Sequence, residues 1–178
     1  ALWSWSNLMP AAELLSLDVS KSAGRLFVLG QVSVLAEPEA VYAALIDYNN
    51  FSRWSKRYES SAYIDSASDG RPRVRTNIEG CVLFFCRKVE RVVTLDLEPV
   101  GFIRATADPN LSDVIYGVEE WRLEADTSGT VVHYSHEVEF DFWLPPLVGV
   151  WAIRRSLNSD AVRAAERIEA ISNMQQKN

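Results

Sequence analysis

The stretch from Phe140 to Ile171 reads FDFWLPPLVGVWAIRRSLNSDAVRAAERIEAI, and it carries the main information about the architecture. Two prolines, Pro145 and Pro146, separate an apolar strand end from the pattern of one long helix over 147–173. A single apolar stripe on one long helix needs only one sheet to cover it, which predicts two layers. The apolar positions of the stripe are Val150, Trp151, Leu157, Ala161, Val162, Ala165, Ile168 and Ile171.

The chain before this helix has the period of strands. From residue 59 to 144, turn residues recur at 68–70, 99–101, 108–110 and 126–129, and this spacing predicts six strands. Residues 25–36 predict one further strand, and residues 1–23 a leader segment that contains a short helix at best, starting at Pro10. The folded domain is therefore expected to cover residues 24–178.

Two short helices are predicted after the first strand. The first begins at Glu37-Pro38-Glu39, with proline in the first turn and acidic residues near the positive end of the helix dipole. The second contains Phe51 and Trp54. The expected fold class is α+β: a curved antiparallel sheet of about seven strands wrapped around a long C-terminal helix. Such a sheet leaves a cavity between itself and the helix, so the pattern favours a protein that binds an apolar molecule inside this cavity.

Composition and motifs exclude several classes of function. The chain of 178 residues has a net charge of -6, which argues against nucleic acid as a partner because phosphate backbones are bound by clustered Lys and Arg. No apolar run is long enough to predict a membrane span. Phosphate-loop, dinucleotide, zinc-protease, EF-hand and lipase signatures are absent from the sequence, so we expect no cofactor, no metal and, on balance, no enzyme.

The two cysteines, Cys81 and Cys86, bear on the cellular compartment. If residues 82–85 form a hairpin tip, the cysteines face each other and a disulfide is possible; if residues 81–86 form one extended strand, they are too far apart. The hairpin is favoured, which predicts a periplasmic or secreted protein, with the cytoplasm as the alternative. The chain begins at Ala1 without Met, consistent with a removed signal peptide or with a shortened chain.

Alternation along the predicted strands identifies inward-facing polar residues. Ile115, Gly117, Glu119, Trp121 and Leu123 share one face, which we expect to point inward. A buried Glu119 must find a partner or take up a proton, so it either pairs with Arg75, Arg91 or Arg104 or binds the polar group of a ligand.

The last strand places a histidine on the same inward side. Tyr134 and His136 share a face with Val132, Val138, Phe140 and Phe142, whereas His133 points the opposite way. A lone histidine on an apolar face is more often a core residue than an acid-base catalyst, so we expect His136 to line the cavity without a catalytic role.

Aromatic residues near the start of the long helix are candidates for a lid. Trp54, Trp151 and Arg154 would meet at the open end of the cavity, unless both tryptophans simply fill the core. The apolar run from Phe140 to Ile153 is expected to be buried, with a transient membrane contact as the alternative. The candidate ligand-binding residues are Trp54, Arg75, Glu119, Trp121, Tyr134, His136, Trp151 and Arg154.

Three segments resemble the START-like helix-grip superfamily: EPEAVYAALIDYNNFSRW at 37–54, SDVIYGVEEWRLEA at 112–125 with Gly129-Thr130, and FWLPPLVGVWAIRRSL at 142–157. The resemblance covers about residues 24–173 and is strongest to the bacterial polyketide-cyclase and coenzyme-Q-binding branch. It implies the helix-grip fold and a hydrophobic ligand such as a lipid, quinone or polyketide. The alternatives are an aromatase/cyclase that uses Glu119, His136 and Arg75, or an interaction module with a vestigial pocket.

Overall fold

The computed structural model describes residues 12–54, 57–82, 85–143 and 146–175. Its elements, in chain order, are β1 (Glu13–Ser22), β2 (Arg25–Val34), α1 (Pro38–Leu45), a 3-10 turn (Tyr48–Asn50), α2 (Phe51–Trp54), β3 (Tyr58–Ile64), β4 (Arg73–Val82), β5 (Phe85–Glu98), β6 (Phe102–Ala107), β7 (Val114–Asp126), β8 (Gly129–Phe140) and α3 (Pro146–Gln175).

The strands form one antiparallel sheet in the order β1-β2-β8-β7-β6-β5-β4-β3. This order confirms the predicted α+β helix-grip class, including the six strands after residue 58, the two short helices and the long C-terminal helix. The helix α3 packs across the sheet and contacts β1, β2 and β4. None of the helices in the described part of the chain combines the length and apolar character needed to cross a membrane.

The segment before residue 24 differs from the prediction. Residues 13–22 are an edge strand of the sheet, and no part of them is helical. A two-residue turn at Ala23-Gly24, both with positive φ, reverses the chain into β2. Val19 and Leu17 then pack against the core, so pairing with β2 overrides the weak local helix pattern. The sheet therefore has eight strands and begins within the expected leader segment.

A β-bulge corrects the predicted orientation of Ile115. The register between β7 and β8 shifts between Val114 and Tyr116, so Val114 is buried and Ile115 is 52% exposed. A bulge inserts one extra residue and reverses the alternation on one side of it. From Gly117 onward the predicted faces are correct, because Glu119 is buried and Trp121 packs in the core.

The β7–β8 turn requires glycine at position 129. Gly129 has φ 147°, and a Cβ there would lie 2.3 Å from the carbonyl oxygen of Val34. The hydroxyl of Thr130 donates to the carbonyl of Ala36 at 2.7 Å. These contacts hold the β7–β8 turn against the C-terminal end of β2. Val41 of α1 and Ile168 of α3 pack in the same part of the core.

Candidate functional site

A cavity of about 860 Å³ lies between the concave face of the sheet and residues 152–167 of α3. This volume is within the range of small-molecule sites, roughly 300–1,000 Å³. Most of the wall is apolar because inward positions of the strands alternate with outward ones. The apolar lining residues are Leu26, Val28, Ile78, Val89, Val114, Val138, Phe140, Phe142, Ile153 and Leu157.

One part of the cavity wall is polar and belongs to a buried ion pair. A guanidinium nitrogen of Arg91 on β5 donates to Glu119 Oε2 on β7 at 2.7 Å, and both side chains are 6% exposed. The hydroxyl of Tyr134 on β8 donates to the other oxygen, Glu119 Oε1, at 2.7 Å. Arg91 and Tyr134 line the cavity, whereas Glu119 lies behind them. Both oxygens of the Glu119 carboxylate are therefore bonded to protein groups.

Two buried polar atoms beside this ion pair lack a hydrogen-bond partner among the described residues: Arg91 Nε and His136 Nε2. Both residues line the cavity. Arg91 Nε carries a hydrogen and can only donate, whereas His136 Nε2 donates or accepts according to the tautomer. Both atoms are covered in the structure, so an oxygen atom from the cavity reaches them only if the wall shifts slightly. The cost of a buried donor without a partner favours such a contact.

Burial controls the protonation of this group. Burial lowers the pKa of His136 to about 4, against a smaller opposing effect of Glu119, so the imidazole is neutral at pH 7. Burial by itself would raise the pKa of Glu119, but the charge of Arg91 and the hydroxyl of Tyr134 hold it below its usual value. With Arg91 and Glu119 both charged and His136 neutral, the polar wall has no net charge.

The structure brings together only some of the predicted site residues. Tyr134 and His136 line the cavity as expected, and Glu119 forms the ion pair with Arg91 that was one of its predicted alternatives. Arg75 does not face the cavity; its side chain is 50% exposed and lies 3.8 Å from Glu90. The reason is the alternation in β4, where the neighbouring Val74 and Thr76 are the buried residues. Trp121 packs in the core against the Tyr134 ring, outside the cavity lining.

The predicted lid is also corrected. Trp151 is 58% exposed and points into a second, open groove between α3 and β1. Arg154 lines the same groove and donates to the carbonyl oxygen of Leu17 at 3.0 Å. The unpredicted strand β1 occupies the position next to α3 and turns both side chains away from the cavity. Trp54 ends α2, and its side chain lies outside the described part of the chain.

A polar stripe on α3 is a part of the site that sequence analysis missed. Ser156, Asp160, Arg163 and Arg167 line the cavity, with the i, i+4, i+7, i+11 spacing of one helix face. Arg57, before β3, forms an ion pair with Asp160 and a hydrogen bond with Ser156. The spacing of this stripe, adjacent to the apolar one, is the signal that could have identified it.

The hairpin between β4 and β5 closes one side of the cavity. Cys81 and Cys86 are directly paired across the two strands, with Cα atoms 4.0 Å apart, and form a disulfide. This is the hairpin alternative that the spacing favoured. Gly80, Cys81 and Arg87 line the cavity next to this bridge. The disulfide therefore lies at the rim of the cavity.

Solved structures share this architecture at low sequence identity. A START superfamily protein from Mycobacterium smegmatis superposes with a TM-score of 0.65 at 16% identity, covering 82% of this chain and 98% of that one. The Zhui aromatase/cyclase from Streptomyces sp. R1128 has a TM-score of 0.64 at 15% identity, with 85% and 96% covered. A STAR-related lipid transfer protein from Xanthomonas axonopodis has a TM-score of 0.61 at 17% identity, with 85% and 98% covered.

These superpositions show the helix-grip fold. The comparison with curated proteins gives no match. A family model described as polyketide cyclase / dehydrase and lipid transport matches residues 28–171, which include every strand from β3 to β8 and most of α3. The chain belongs to the polyketide cyclase / dehydrase and lipid transport family.

Proposed function

We propose that this protein binds an apolar small molecule bearing an uncharged oxygen, such as a quinone, a sterol-like lipid or a polyketide, and carries it without covalent chemistry. The observation that supports this proposal is the apolar cavity of about 860 Å³ with two unpartnered polar atoms on one wall. The family and the similar folds cover both lipid transport and cyclase activity. The choice of binding over catalysis rests on the residues of this chain.

The oxygen of the ligand would accept from Arg91 Nε and bond with His136 Nε2. Because the group of Arg91, Glu119 and His136 has no net charge, a carbonyl or hydroxyl oxygen suits this part of the wall. A carboxylate would find compensating charge only from arginines elsewhere in the lining, such as Arg163 and Arg167. The apolar lining would cover the rest of the molecule. A quinone fits this description, so the coenzyme-Q-binding-like branch stays a prediction.

An aromatase/cyclase is the second candidate, and one observation favours it. His136 is neutral and lines the cavity, and its buried Nε2 lacks a hydrogen-bond partner among the described residues, so the imidazole is a candidate proton acceptor. Against this, Glu119 is bonded at both oxygens and Arg75 faces solvent. A base whose pKa is about 4 is also a poor match for proton removal near neutral pH. The remaining groups support ligand orientation better than chemistry.

The first test is native mass spectrometry of the protein purified from its own host, followed by organic extraction and identification of the bound compound. We expect a bound molecule with an apolar body and a carbonyl or hydroxyl oxygen. A protein that never retains an apolar compound, in extraction or in titration with added quinone, sterol and polyketide probes, would overturn the proposal. Conversion of a polyketide probe to a cyclised product would favour the cyclase.

Replacing two alanines of α3 with tryptophan, one at a time, tests whether the ligand binds in the cavity. Ala152 lines the cavity, whereas Ala170 is exposed on the same helix near its C-terminal end. Ala152→Trp should fill the cavity mouth and abolish retention of the ligand, and Ala170→Trp should leave retention unchanged. Equal retention by both variants would contradict binding in this cavity.

A second pair of measurements tests the polar wall. His136→Leu should weaken binding of the oxygen-bearing ligand roughly fivefold, since one hydrogen bond is worth about 1 kcal/mol. Its affinity for a hydrocarbon of the same shape should change little. An equal loss for both ligands would mean that His136 acts through packing alone.

The location of the protein is part of this proposal. We infer a periplasmic or extracellular site of action from the Cys81–Cys86 bridge, because such bridges persist in oxidising compartments. Thiol labelling of the protein isolated from its host, with and without prior reduction, tests it. Labelling only after reduction is expected, whereas labelling without reduction would place the protein in a reducing compartment.

A further inference from the structure

The groove between α3 and β1 lies next to the cavity. Five residues line both spaces: Cys81, Ala152, Ser156, Asp160 and Arg163. The groove itself is open to solvent and is bordered by Leu15 of β1 and Trp151 of α3. A molecule that leaves the cavity past Ala152 therefore emerges at this surface.

Two indole rings are exposed in the run from Phe140 to Ile153, which was expected to be buried, and one of them, Trp151, lines the groove. Trp143 is 74% exposed just before α3, and Trp151 is 58% exposed in the first turns of the helix. Leu15, at the bulge in β1, adds a third exposed apolar side chain at 47%. Tryptophan favours the boundary between lipid headgroups and acyl chains, where an amphipathic ring is partly solvated.

The same surface is basic in an otherwise acidic chain. Arg154, Arg155 and Arg163 line the groove, and its acidic lining residue, Asp160, is paired with Arg57. None of the ion pairs among the described residues involves these three arginines. Arg154 bonds a neutral carbonyl, and Arg155 lies over the Trp151 ring at 5.8 Å, so the positive charges are not cancelled by these contacts.

We propose that this surface, the docking face of Leu15, Trp151, Arg154, Arg155 and Arg163, binds the headgroup region of an anionic lipid bilayer. An exposed indole and leucine beside uncompensated arginines match a bilayer, whose negatively charged headgroups lie over an apolar interior. Protein interfaces also favour tryptophan and arginine, but the groove that carries these residues shares its lining with an apolar cavity, which favours a bilayer over an acidic protein as the partner. Membrane docking itself does not depend on the proposed function. Only its purpose, the exchange of the cavity ligand with the bilayer, rests on that function.

The test is flotation of the purified full chain with vesicles of phosphatidylcholine containing about one third phosphatidylglycerol, and with vesicles of phosphatidylcholine alone. We expect binding to the anionic vesicles with a blue shift of tryptophan fluorescence, and loss of most of that binding at high salt, where surface charges are screened. No binding of the wild-type chain to anionic vesicles would overturn the proposal.

Matched variants assign the binding to the docking face. Trp151→Ala should weaken vesicle binding roughly tenfold. Arg154→Gln combined with Arg155→Gln should weaken it about 25-fold, from about fivefold for each arginine near an anionic surface. The controls lie on the outer face of the sheet: Leu29→Ala, with the same 58% exposure as Trp151, and Arg122→Gln, whose side chain is 64% exposed. Controls that lose as much binding as the test variants would contradict the assignment.

Two further measurements distinguish loss of membrane docking from misfolding and from loss of the cavity function. The single variant Arg155→Gln leaves the Arg154 bond to β1 intact and should still lower binding about fivefold, which guards against misfolding of the double variant. Retention of the cavity ligand is measured on the same preparations, so loss of docking with the ligand retained is distinguished from failure of the cavity function. Self-association that Trp151→Ala abolishes would assign the face to a second copy of the chain and overturn the proposal.

Discussion

Glu119 and Glu120 are neighbours in β7, and each bonds an arginine, but on opposite faces of the sheet. Glu119 pairs with Arg91 at 2.7 Å on the concave face, where both side chains are 6% exposed. Glu120 pairs with Arg104 at 2.5 Å on the outer face, where the side chains are 20% and 45% exposed. The distances are similar, so any difference in what the two pairs contribute must come from their surroundings.

The surroundings make the inner pair costly to break and the outer pair nearly dispensable. Charges removed from water lose hydration that only the partner replaces, so a single buried charge is strongly unfavourable. Charges at the surface regain water when the partner is removed, and the net contribution of such pairs is small. The inner pair therefore fixes the Arg91 side chain in the cavity wall, whereas the outer pair contributes little to stability.

The largest effect is expected from Arg91→Met. Removal of the guanidinium leaves the Glu119 carboxylate buried without its cation, so the free energy of unfolding should fall by about 3–5 kcal/mol. Urea denaturation at pH 7 measures it. A loss below about 1 kcal/mol would mean that the two faces do not differ and that water solvates Glu119 in the cavity.

A double-mutant cycle tests whether loss of the ion pair accounts for the lower stability of Arg91→Met. Combining Arg91→Met with Glu119→Met removes both charges and replaces them with apolar side chains of similar volume, so most of the stability lost in Arg91→Met should return. The coupling energy between the two sites should be about 3 kcal/mol. Strict additivity of the two single variants would show that each acts through packing and not through the ion pair.

His136 predicts a pH dependence on the inner face. Its pKa is about 4 in the folded chain and near 6.5 when unfolded, so between these values the unfolded chain binds more protons. Stability is therefore complete above about pH 6.5 and is lost as the pH falls toward 4, by up to about 3 kcal/mol, less where water in the cavity solvates the ring.

Denaturation from pH 7 to pH 4 tests this assignment. His136→Phe should reduce the loss of stability across that range, because the imidazole that takes up the proton on unfolding is gone. The matched control is His133→Phe, which removes an imidazole from the outer face of the same strand. If the two substitutions change the pH dependence equally, the assignment to His136 is wrong.

The fold could be predicted because its signals are local and repeated. Turn residues mark the hairpins from β3 to β8, except the β4–β5 hairpin, which the spacing of Cys81 and Cys86 favoured. The stripe of α3 implies a single covering sheet. The strand β1 was missed because its turn, Ala23-Gly24, lacks the Asn or Asp typical of such turns, and its alternation is weak. Ile115 was misplaced because a bulge leaves no mark in a single sequence.

The site could be predicted only where alternation alone decides orientation. The alternation correctly placed Glu119, Tyr134 and His136 on the inward face. It could not identify which of Arg75, Arg91 and Arg104 pairs with Glu119, because the choice depends on strand order and register. Arg91 did carry a signal, since it alternates with the inward Val89 and Val93 on β5. The positions of Trp151 and Arg154 depended on β1, so the error in one element carried over to the site.

The smallest effect is expected from Arg104→Met, the outer counterpart of Arg91→Met. Glu120 keeps water and a second arginine, Arg122, whose guanidinium lies 3.5 Å from Glu120 Oε2 and over the Phe102 ring at 4.5 Å. The free energy of unfolding should change by less than about 1 kcal/mol, and high salt should reduce even that difference. Urea denaturation of both methionine variants side by side measures the contrast. A loss for Arg104→Met as large as that for Arg91→Met would show that the arginines act through their packed side-chain stems, in which case burial of charge could not explain why the two faces differ.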